Sequence, residues 1–584
     1  MEPKSEAIPA YSPVDSRIHT AIGAAVGFAF AAIGLTWPFL LGLGVRWEHP
    51  RPDLVAYLTS ALYFLREPWH MPLFTLSNMG YPEGGSVIYN DGIPLAAFIA
   101  KIIKTVTGFY VNHFGPWFLV SYILQGALAA RVAYEIGNRS RITAALFGVL
   151  ALSMPIFYIR IEHVALAGQF VLLWGLLCYF RTTRRKLSVW SIVALSTCAL
   201  LINAYLFAMV VLLLAAALAQ AWQGGQRREA LTAVLACAAA LLVVATLGGF
   251  LRSDLPVGML STGGFGHYSW NLITLVLGPP GYWSWGLGPI VRDATGGQYE
   301  GDAYLGAGVL LLFAMSLVLS RAEVRAAIRR HVPLVLAIAL CAAFAASDRV
   351  YISSHLVAEY HLIPNQDKLA GLFRVSGRFV WPLVYLLTLA PALLVMRRLP
   401  QSVFAALLIC CTALQVVEGW PIRRQVRAYT ESAEPDLIGV PEMALWMSAH
   451  RRVWQFPSWF CGGLGRDKRG EGIRRETQLQ VLAAKLGLAN NSVYMGRPLK
   501  DCARERHEAE ALLLSPGTLY IFDNTEVLKI PRLAALVATP ACRSVGWGFV
   551  CSASWSDTAA PRAVRDAADR AISPTEALAN DRKR

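Results

Sequence analysis

Two aspartates in one polar segment stand where they could accept a proton. Asp53 follows Pro52 and begins an amphipathic run, and Asp91 lies shortly before a second run that starts at Pro94. An aspartate at a helix start is a good N-cap, which gives both residues a purely structural explanation. A carboxylate at a membrane surface can also accept the proton of a reacting hydroxyl group. One residue can fill both roles, so both aspartates are candidate catalytic bases.

A short polar turn, Arg160-Ile161-Glu162-His163, separates two apolar segments. A histidine in such a turn can orient a substrate or transfer a proton, because its ordinary pKa lies close to neutral pH. The polar side chains of this turn can equally be surface anchors. Arg160, Glu162 and His163 are therefore candidate substrate-binding residues, and the anchor interpretation stays open beside this one.

Two further segments mix aromatic residues with Gly, Asn and His. The string GGFGHYSWN contains His267, Tyr268 and Asn271, and the string GQYEGDAYLG contains Glu300. Such mixtures are typical of sugar-binding surfaces, although aromatic residues at a bilayer interface also form ordinary belts. We treat these four residues as candidate substrate-binding residues, with the belt as the alternative.

Two arginines stand four residues apart in the string FRVSGRFVWP, at the start of an apolar segment. The order of the segments places Arg374 and Arg378 on the outer side of a membrane, where the positive-inside rule disfavours arginine. The natural partner of such a pair is a phosphate group, which guanidinium groups bind through paired hydrogen bonds. Arginines anchored at the membrane surface are the alternative.

The elements that must position these residues are membrane helices. The chain has 584 residues, of which 55% are hydrophobic and only 16% are charged, and its mean hydropathy is +0.45. A soluble domain carries about 25% charged residues. The composition excludes soluble, fibrous, disordered and disulfide-stapled classes. The net charge is +15, and the basic residues lie largely in short loops. The sequence shows no basic face interleaved with aromatic residues, so we expect no nucleic-acid partner.

The apolar runs predict a polytopic α-helical membrane protein with eleven transmembrane helices. Arginine-rich short loops fall on one side, which should be cytoplasmic together with the N-terminus. The run at 93–106 is too short and too charged to span, and the helix at 54–66 should lie along the membrane surface. The predicted spans are 21–44, 112–137, 142–159, 164–180, 188–203, 205–222, 230–249, 303–320, 332–346, 379–396 and 402–418.

This topology divides the chain into two predicted domains. Residues 1–420 form the transmembrane module, and residues 421–584 form a C-terminal α/β domain on the outer side. An odd number of spans puts this domain outside the cytoplasm. The long outer loops of the module are 45–111, 251–302 and 347–378.

The C-terminal region contains four of the ten cysteines. No CxxC pair is present, which argues against a zinc or thioredoxin-type site. Cysteines of an exported domain form disulfides, and we expect a Cys542–Cys551 bridge, closed by a hairpin, and a Cys461–Cys502 bridge.

Several common signatures are absent from the sequence. There is no P-loop string, no HExxH, no GxSxG and no Rossmann glycine string after a strand, so the usual signatures of ATP-driven transport, zinc proteolysis and hydride transfer are missing. The predicted spans contain almost no carboxylates, which counts against an ion-coupled transporter.

The order of these features resembles the GT-C superfamily of membrane glycosyltransferases. A first span, an outer loop with an early aspartate, and a second aspartate before an interfacial helix are all present. The strings GFGHYSWN, GQYEGDAYLG, FRVSGRFVWP and RIEHVAL resemble a family of bacterial polytopic proteins placed near GT-C enzymes, and the C-terminal region is similar in its NSVYMGR string.

The resemblance implies transfer of a sugar from a polyprenyl-phosphate carrier, with inversion, at the outer face of the bacterial inner membrane. It implies that Asp53 is the catalytic base, that Asp91 assists, and that the C-terminal domain is periplasmic. Asp53 lacks the adjacent acidic residue of better-known members, so we expect neither a metal nor another cofactor. The acceptor can be a glycan, a lipid or a protein.

Two other functions are alternatives to the glycosyltransferase. A transporter or flippase of lipid or polysaccharide would need ionisable residues inside the membrane. A non-catalytic scaffold would not need acidic, histidine and arginine residues on one face. A cavity lined by Asp53, His163 and Arg378 would favour the enzyme, and a scattered arrangement would favour the scaffold.

Overall fold

The computed structural model describes residues 12–251, 264–279, 290–360, 373–465, 470–496 and 500–556. By its internal contacts the chain divides into two compact units. The first comprises Met1–Gly42, His113–Val244 and Pro256–Glu431; the second comprises Leu43–Asn112, Ala245–Leu255 and Ser432–Arg584. The division predicted at residue 420 stays a prediction.

The first unit is built almost entirely of helices. Serine side chains cap several of them: Ser12 accepts from the backbone N–H of Asp15, and Ser140 accepts from that of Thr143. The α-helices are Pro13–Gly34, Trp37–Leu40, Phe114–Ile136, Arg141–Leu152, Pro155–Tyr158, Phe170–Thr182, Val189–Ile202, Ala204–Gln223, Arg227–Gly248, Ala307–Leu319, Arg321–Arg330, Val332–Ala346, Trp381–Met396, Gln401–Glu418 and Trp420–Glu431. Short 3-10 helices are Val164–Gln169, Leu272–Leu275, Gln298–Gly301 and Ser376–Val380.

Each of the eleven predicted spans coincides with helical structure, but their number is not confirmed. Within the described part of the chain, seven helices are long and apolar enough to cross a membrane, or eight if the bent pair Ala307–Leu319 and Arg321–Arg330 is one span. Three predicted spans correspond to shorter apolar helices, namely Arg141–Leu152, Val189–Ile202 and Val332–Ala346. The chain is therefore a multi-helix protein of membrane composition, as predicted.

The first two long helices of this unit cross at glycines. A Cβ at Gly23 would lie 2.3 Å from the carbonyl oxygen of Gly126, and a Cβ at Gly27 would lie 2.2 Å from that of Tyr122. Only glycine permits such a close approach of two backbones, which is the usual way in which membrane helices pack tightly.

A buried polar chain fixes the helix that follows Arg378. The amide of Gln125 donates to the hydroxyl of Tyr385 at 2.6 Å, and that hydroxyl donates to Gln169 at 3.0 Å. These three residues lie on three different helices, and all are buried. These buried hydrogen bonds link three helices and so help to fix the position of the helix that carries Tyr385.

The second unit contains a five-stranded mixed sheet. The strands are β5 (Arg452–Phe456), β6 (Ala489–Asn490), β7 (Thr518–Asp523), β8 (Cys542–Ser544) and β9 (Gly548–Ser552). Their order is β6-β5-β7-β9-β8, with β5 parallel to β6 and β7, and β9 antiparallel to β7 and β8. The helices around the sheet are Val440–Ser448, Glu471–Leu486, Cys502–Glu510, Asn524–Leu528 and Pro531–Val537. The predicted α/β region is therefore present.

Both predicted disulfides are present in this unit. Cys542 and Cys551 lie directly opposite each other on the antiparallel strands β8 and β9. Cys461 and Cys502 join the 3-10 helix Trp459–Cys461 to the start of a helix.

The polar segment 43–112 belongs to the same unit as this sheet. It contains the helices Val45–Glu48, Pro52–Arg66 and Pro94–Thr107, the 3-10 helix Val87–Asn90, and the two-residue strands β1 (Thr75–Leu76) and β2 (Gly85–Ser86). Arg51 and Arg474 both pair with the carboxylate of Glu434, at 3.2 and 3.5 Å.

The helix Pro52–Arg66, which we call the Asp53 helix, does not lie on a surface. Every residue from Leu54 to Leu65 is buried, so the predicted surface position is wrong. The physical reason is the packing of this helix against Glu471–Leu486 of the C-terminal region: Arg66 donates to the carbonyl of Ala484 at 2.8 Å, and Tyr63 donates to that of Leu488 at 2.7 Å.

Candidate functional site

Two arginines of the first unit converge on one carboxylate. Arg160 donates to Oε2 of Glu300 at 2.7 Å and to the backbone carbonyl of Glu300 at 2.8 Å. Arg378 donates to the same Oε2 from Nη2, at 3.2 Å. The three side chains come from a turn after helix Pro155–Tyr158 and from the 3-10 helices Gln298–Gly301 and Ser376–Val380. All three are about 95% buried. We call these residues, together with His163, the Glu300 cluster.

His163 completes the cluster as a neutral group. Its Nε2 lies 3.7 Å from Oε1 of Glu300, and a quarter of its side chain is exposed. Burial is the main reason why the pKa of His163 falls from its ordinary value to about 3; Arg378 and Arg160 lower it further, against the opposing effect of Glu300. At neutral pH the imidazole is therefore uncharged.

Two guanidinium groups of the cluster pair with one ionised carboxylate. Burial alone would raise the pKa of Glu300, but Arg378 and Arg160 hold it well below its ordinary range, so the carboxylate is ionised. The neighbouring Asp302 is paired with Arg292 at 2.9 Å. Arg160 and Arg378 thus bring two buried guanidinium groups together at one carboxylate.

Arg374 and Arg378 lie in very different surroundings. The guanidinium of Arg378 lies 5.0 Å from the ring centre of Tyr205, whereas Arg374 is exposed and lies 5.3 Å from the ring centre of Tyr268. The backbone N–H of Val375 donates to the Tyr205 hydroxyl at 3.2 Å. The two arginines therefore share one loop, and the buried one is held by the Glu300 cluster.

The remaining predicted substrate-binding residues lie in the same turn as Arg160 or in the segment 264–271. Glu162 is half-buried in the same turn as Arg160 and His163. His267 is exposed and packs its ring edge-on against Tyr268, with ring centres 4.6 Å apart. Asn271 is fully buried, and its amide bonds to Gln298 and to the backbone of Ser353. Asn271 thus holds neighbouring segments in place.

Asp53 lies in the second unit, in the first turn of the Asp53 helix. The N-cap position belongs to Arg51, so the expected capping role of Asp53 is wrong. Its Oδ1 accepts a hydrogen bond from the hydroxyl of Tyr494 at 3.3 Å. Tyr494 in turn stacks on Trp459, with ring centres 4.6 Å apart. An acid in the first turn still interacts favourably with the helix dipole.

Asp91 also does not cap the helix after it. It ends the 3-10 helix Val87–Asn90 in the left-handed conformation, with φ of 50°. Ile93 occupies the N-cap position of Pro94–Thr107, so the capping expectation is wrong here too. The side chain of Asn90 donates to the carbonyl of Ala56 on the Asp53 helix, at 3.3 Å. The segments that carry the two aspartates are thereby in contact.

The structure thus groups the predicted residues in two places. Arg160, His163, Glu300 and Arg378 form one cluster in the first unit, whereas Asp53 and Asp91 belong to the second. Tyr494, which contacts Asp53, was not predicted, although the NSVYMGR string contains it. Among the residues that the structure describes, no three His, Cys, Asp or Glu side chains are placed as metal ligands.

Two family models match the chain. Residues 24–420 match the model described as a domain of unknown function (DUF6311), and residues 442–553 match the model described as the DUF6311 C-terminal domain. A comparison with curated proteins gives no match.

Two solved structures of an archaeal oligosaccharyltransferase are similar at low identity. The crystal structure of the Archaeoglobus fulgidus enzyme with zinc and sulfate is 11% identical, covers 92% of this chain and 73% of its own, and gives a TM-score of 0.38. The structure of the enzyme AglB from Archaeoglobus fulgidus with an inhibitory peptide and a dolichol-phosphate is 12% identical. The match covers 94% of this chain and 75% of the AglB chain, with a TM-score of 0.36. Such TM-scores do not establish a shared fold.

Proposed function

The chain belongs to the DUF6311 family, and from this premise we propose that it is a membrane glycosyltransferase. It would transfer a sugar from a polyprenyl-phosphate donor to an acceptor, with inversion of the anomeric carbon. The reaction would take place at the outer face of the bacterial inner membrane, with the C-terminal region in the periplasm. The two disulfides support that location, because disulfides persist in oxidising compartments.

The observation that supports this proposal is the pair of buried guanidinium groups in the Glu300 cluster. Arg160 and Arg378 are buried and share one carboxylate, and the nearby His163 is neutral. The phosphate of a lipid-linked sugar is the kind of group that guanidinium groups bind through paired hydrogen bonds. Arg374, which is exposed on the same loop, would add a second contact to that phosphate.

The proposed reaction also requires positive charge at the donor phosphate. When the glycosidic bond breaks, the leaving polyprenyl phosphate gains negative charge. Fixed guanidinium groups stabilise that charge, by about 3 kcal/mol for one well-placed donor. Arg378→Lys would keep the charge but lose the planar pair of donors, so it should impair turnover.

Asp53 is proposed as the base. The acceptor oxygen attacks the anomeric carbon, the bond from that carbon to the phosphate oxygen breaks, and the acceptor proton passes to the carboxylate. The hydrogen bond from Tyr494 supports this role, because it fixes the direction of the carboxylate. Asp91 would assist from the adjoining segment.

The test is mass spectrometry of the lipids that co-purify with the full chain. Wild-type protein should carry a polyprenyl-phosphate sugar, Arg378→Ala should lose it, and the control Arg321→Ala, at the start of a helix outside the cluster, should retain it. Ordinary phospholipids alone on the wild-type protein would contradict the proposed donor.

A further inference from the structure

The first unit has an open cleft of about 410 Å³ that no role proposed above uses. Phe265 and His267 line it from the GFGHYSWN string, and Thr295 lines it from a neighbouring loop. Asp348 and Tyr351 line it from the hairpin of β3 (Arg349–Ile352) and β4 (His355–Glu359). The lining therefore combines one carboxylate, two aromatic rings, an imidazole and a hydroxyl.

Asp348 is the unusual residue of this cleft. Its side chain is 7% exposed, and its Oδ1 is buried without a hydrogen-bond partner in the described chain. Buried acceptors normally have a partner, because leaving one unpaired costs its full desolvation. Gly266 stands beside this oxygen with φ of 84°, and a Cβ there would lie 3.1 Å from it.

The hairpin that carries Asp348 is firmly held. Asn271 accepts from the backbone N–H of Ser353 at 3.0 Å and donates to its carbonyl at 2.8 Å. Tyr360 donates through its N–H to the carbonyl of Asp348, at 3.0 Å, and through its hydroxyl to that of Ser347. The free carboxylate oxygen therefore has a fixed position before any ligand arrives.

The charges around the cleft select the class of ligand. Arg349 also lines the cleft, but its guanidinium is paired with Glu359 at 2.9 Å. Asp348 accordingly disfavours anionic ligands and needs a donor such as a hydroxyl group. The half-buried rings of Phe265 and Tyr351 offer apolar faces, and a sugar ring presents both hydroxyl groups and an apolar face.

We propose that this cleft binds an uncharged saccharide through Asp348 and that this saccharide is the acceptor. The second part rests on the proposed glycosyltransferase function. The acceptor is then a neutral glycan rather than a peptide, and the hydroxyl groups of one sugar unit donate to the carboxylate. Phe265 and Tyr351 pack against the ring, and His267 and Thr295 bind further hydroxyl groups.

A binding titration tests the site without any donor lipid. The full chain in lipid nanodiscs is titrated with neutral oligosaccharides of three to five hexose or N-acetylhexosamine units, and with a serine-rich peptide. Asp348→Asn should weaken saccharide binding by about tenfold or more, because it removes a charge-assisted hydrogen bond. Glu431→Gln, which removes an exposed carboxylate elsewhere in this unit, should leave it unchanged. Binding of the peptide alone would overturn the inference.

Photocrosslinking of wild-type protein keeps the test valid if Asp348→Asn does not fold. A diazirine-labelled oligosaccharide should attach to peptides that contain residues 265–267 or 348–351, and attachment elsewhere would overturn the site. The two proposals fail separately. Saccharide binding in this cleft by a protein without a prenyl-linked donor would contradict the glycosyltransferase, whereas a bound donor without saccharide in the cleft would contradict this inference.

Discussion

The hydroxyl of Tyr494 donates a hydrogen bond to Oδ1 of Asp53, 441 residues earlier in the chain. The residue that the sequence singles out as a base thus has its carboxylate oriented by the C-terminal region. Tyr494 is itself fixed by stacking on Trp459, which lies next to the Cys461–Cys502 bridge. The C-terminal region therefore belongs to the structure around Asp53.

Tyr494→Phe should reduce turnover while the protein remains folded. The ring keeps its stacking on Trp459, and the hydrogen bond to Asp53 is lost. A hydrogen bond to a charged group is worth about 1.5 kcal/mol or more, which corresponds to about tenfold. Steady-state rates of purified protein measure the effect, with Tyr81→Phe, an exposed tyrosine of the same unit, as the control. Equal rates for Tyr494→Phe and wild type would show that the Tyr494 hydroxyl is not needed to orient Asp53 for the reaction.

Glu300→Gln should destabilise the first unit strongly. Its carboxylate is the shared partner of Arg160 and Arg378, and breaking a buried ion pair by removing one member costs about 3–5 kcal/mol. Glu359→Gln breaks the exposed pair with Arg349 and should change little, because exposed pairs are screened by water. Denaturant unfolding in detergent compares the two variants. Similar unfolding midpoints for both would contradict the charge assignment.

The neutral state of His163 predicts a pH dependence of stability. Its pKa is lowered to about 3 in the folded protein, so between pH 6.5 and 3 only the unfolded chain binds a proton there. The contribution of neutral His163 to the free energy of unfolding is fully present above the pKa of the unfolded state, about 6.5, and decreases as the pH is lowered below it. At pH 5 the loss is about 2 kcal/mol. His163→Gln should remove this part of the slope, and parallel pH profiles for variant and wild type would show that the pKa of His163 is not lowered in the folded protein.

Peptide-resolved thiol labelling tests the disulfides. After denaturation without reductant, the six cysteines outside the bridges should react, and Cys461, Cys502, Cys542 and Cys551 should not. Reduction should then expose all four. Labelling of these four before reduction would contradict both the bridges and the periplasmic placement of the C-terminal region.

Local pattern predicted much of the fold. Apolar runs indicated the apolar helices of the first unit, because membrane helices must satisfy their backbone within themselves and so have long apolar sequences, but they did not indicate the polar helices Arg321–Arg330 and Trp420–Glu431. Cysteine spacing indicated the Cys542–Cys551 hairpin. The count of eleven spans goes beyond what length and composition support, because Arg141–Leu152, Val189–Ile202 and Val332–Ala346 are short.

Long-range contacts could not be predicted in this way. The Asp53 helix looks like a surface helix because four leucines share one face, yet it is buried between the C-terminal helix Glu471–Leu486 and other elements of the segment 43–112, such as the helix Pro94–Thr107. Glu300 was grouped with sugar-binding residues, whereas the structure makes it the partner of Arg160 and Arg378. No local signal in a single sequence reports which distant segments meet.

Asp53→Asn is the most direct test of the proposed chemistry. Asn keeps the size of the side chain and can still accept a hydrogen bond from Tyr494, but it cannot take the acceptor proton. The control Glu48→Gln removes an exposed acid from the same polar segment. Both proteins should purify normally and retain the donor lipid.

The decisive measurement is single-turnover sugar transfer by these two variants and the wild type, from the donor lipid that co-purifies with the protein. The account predicts that Asp53→Asn transfers about 10²–10⁴-fold more slowly than wild type, while Glu48→Gln transfers normally. A fully active Asp53→Asn protein would contradict the assignment of the base, and Asp91 would then be the next candidate.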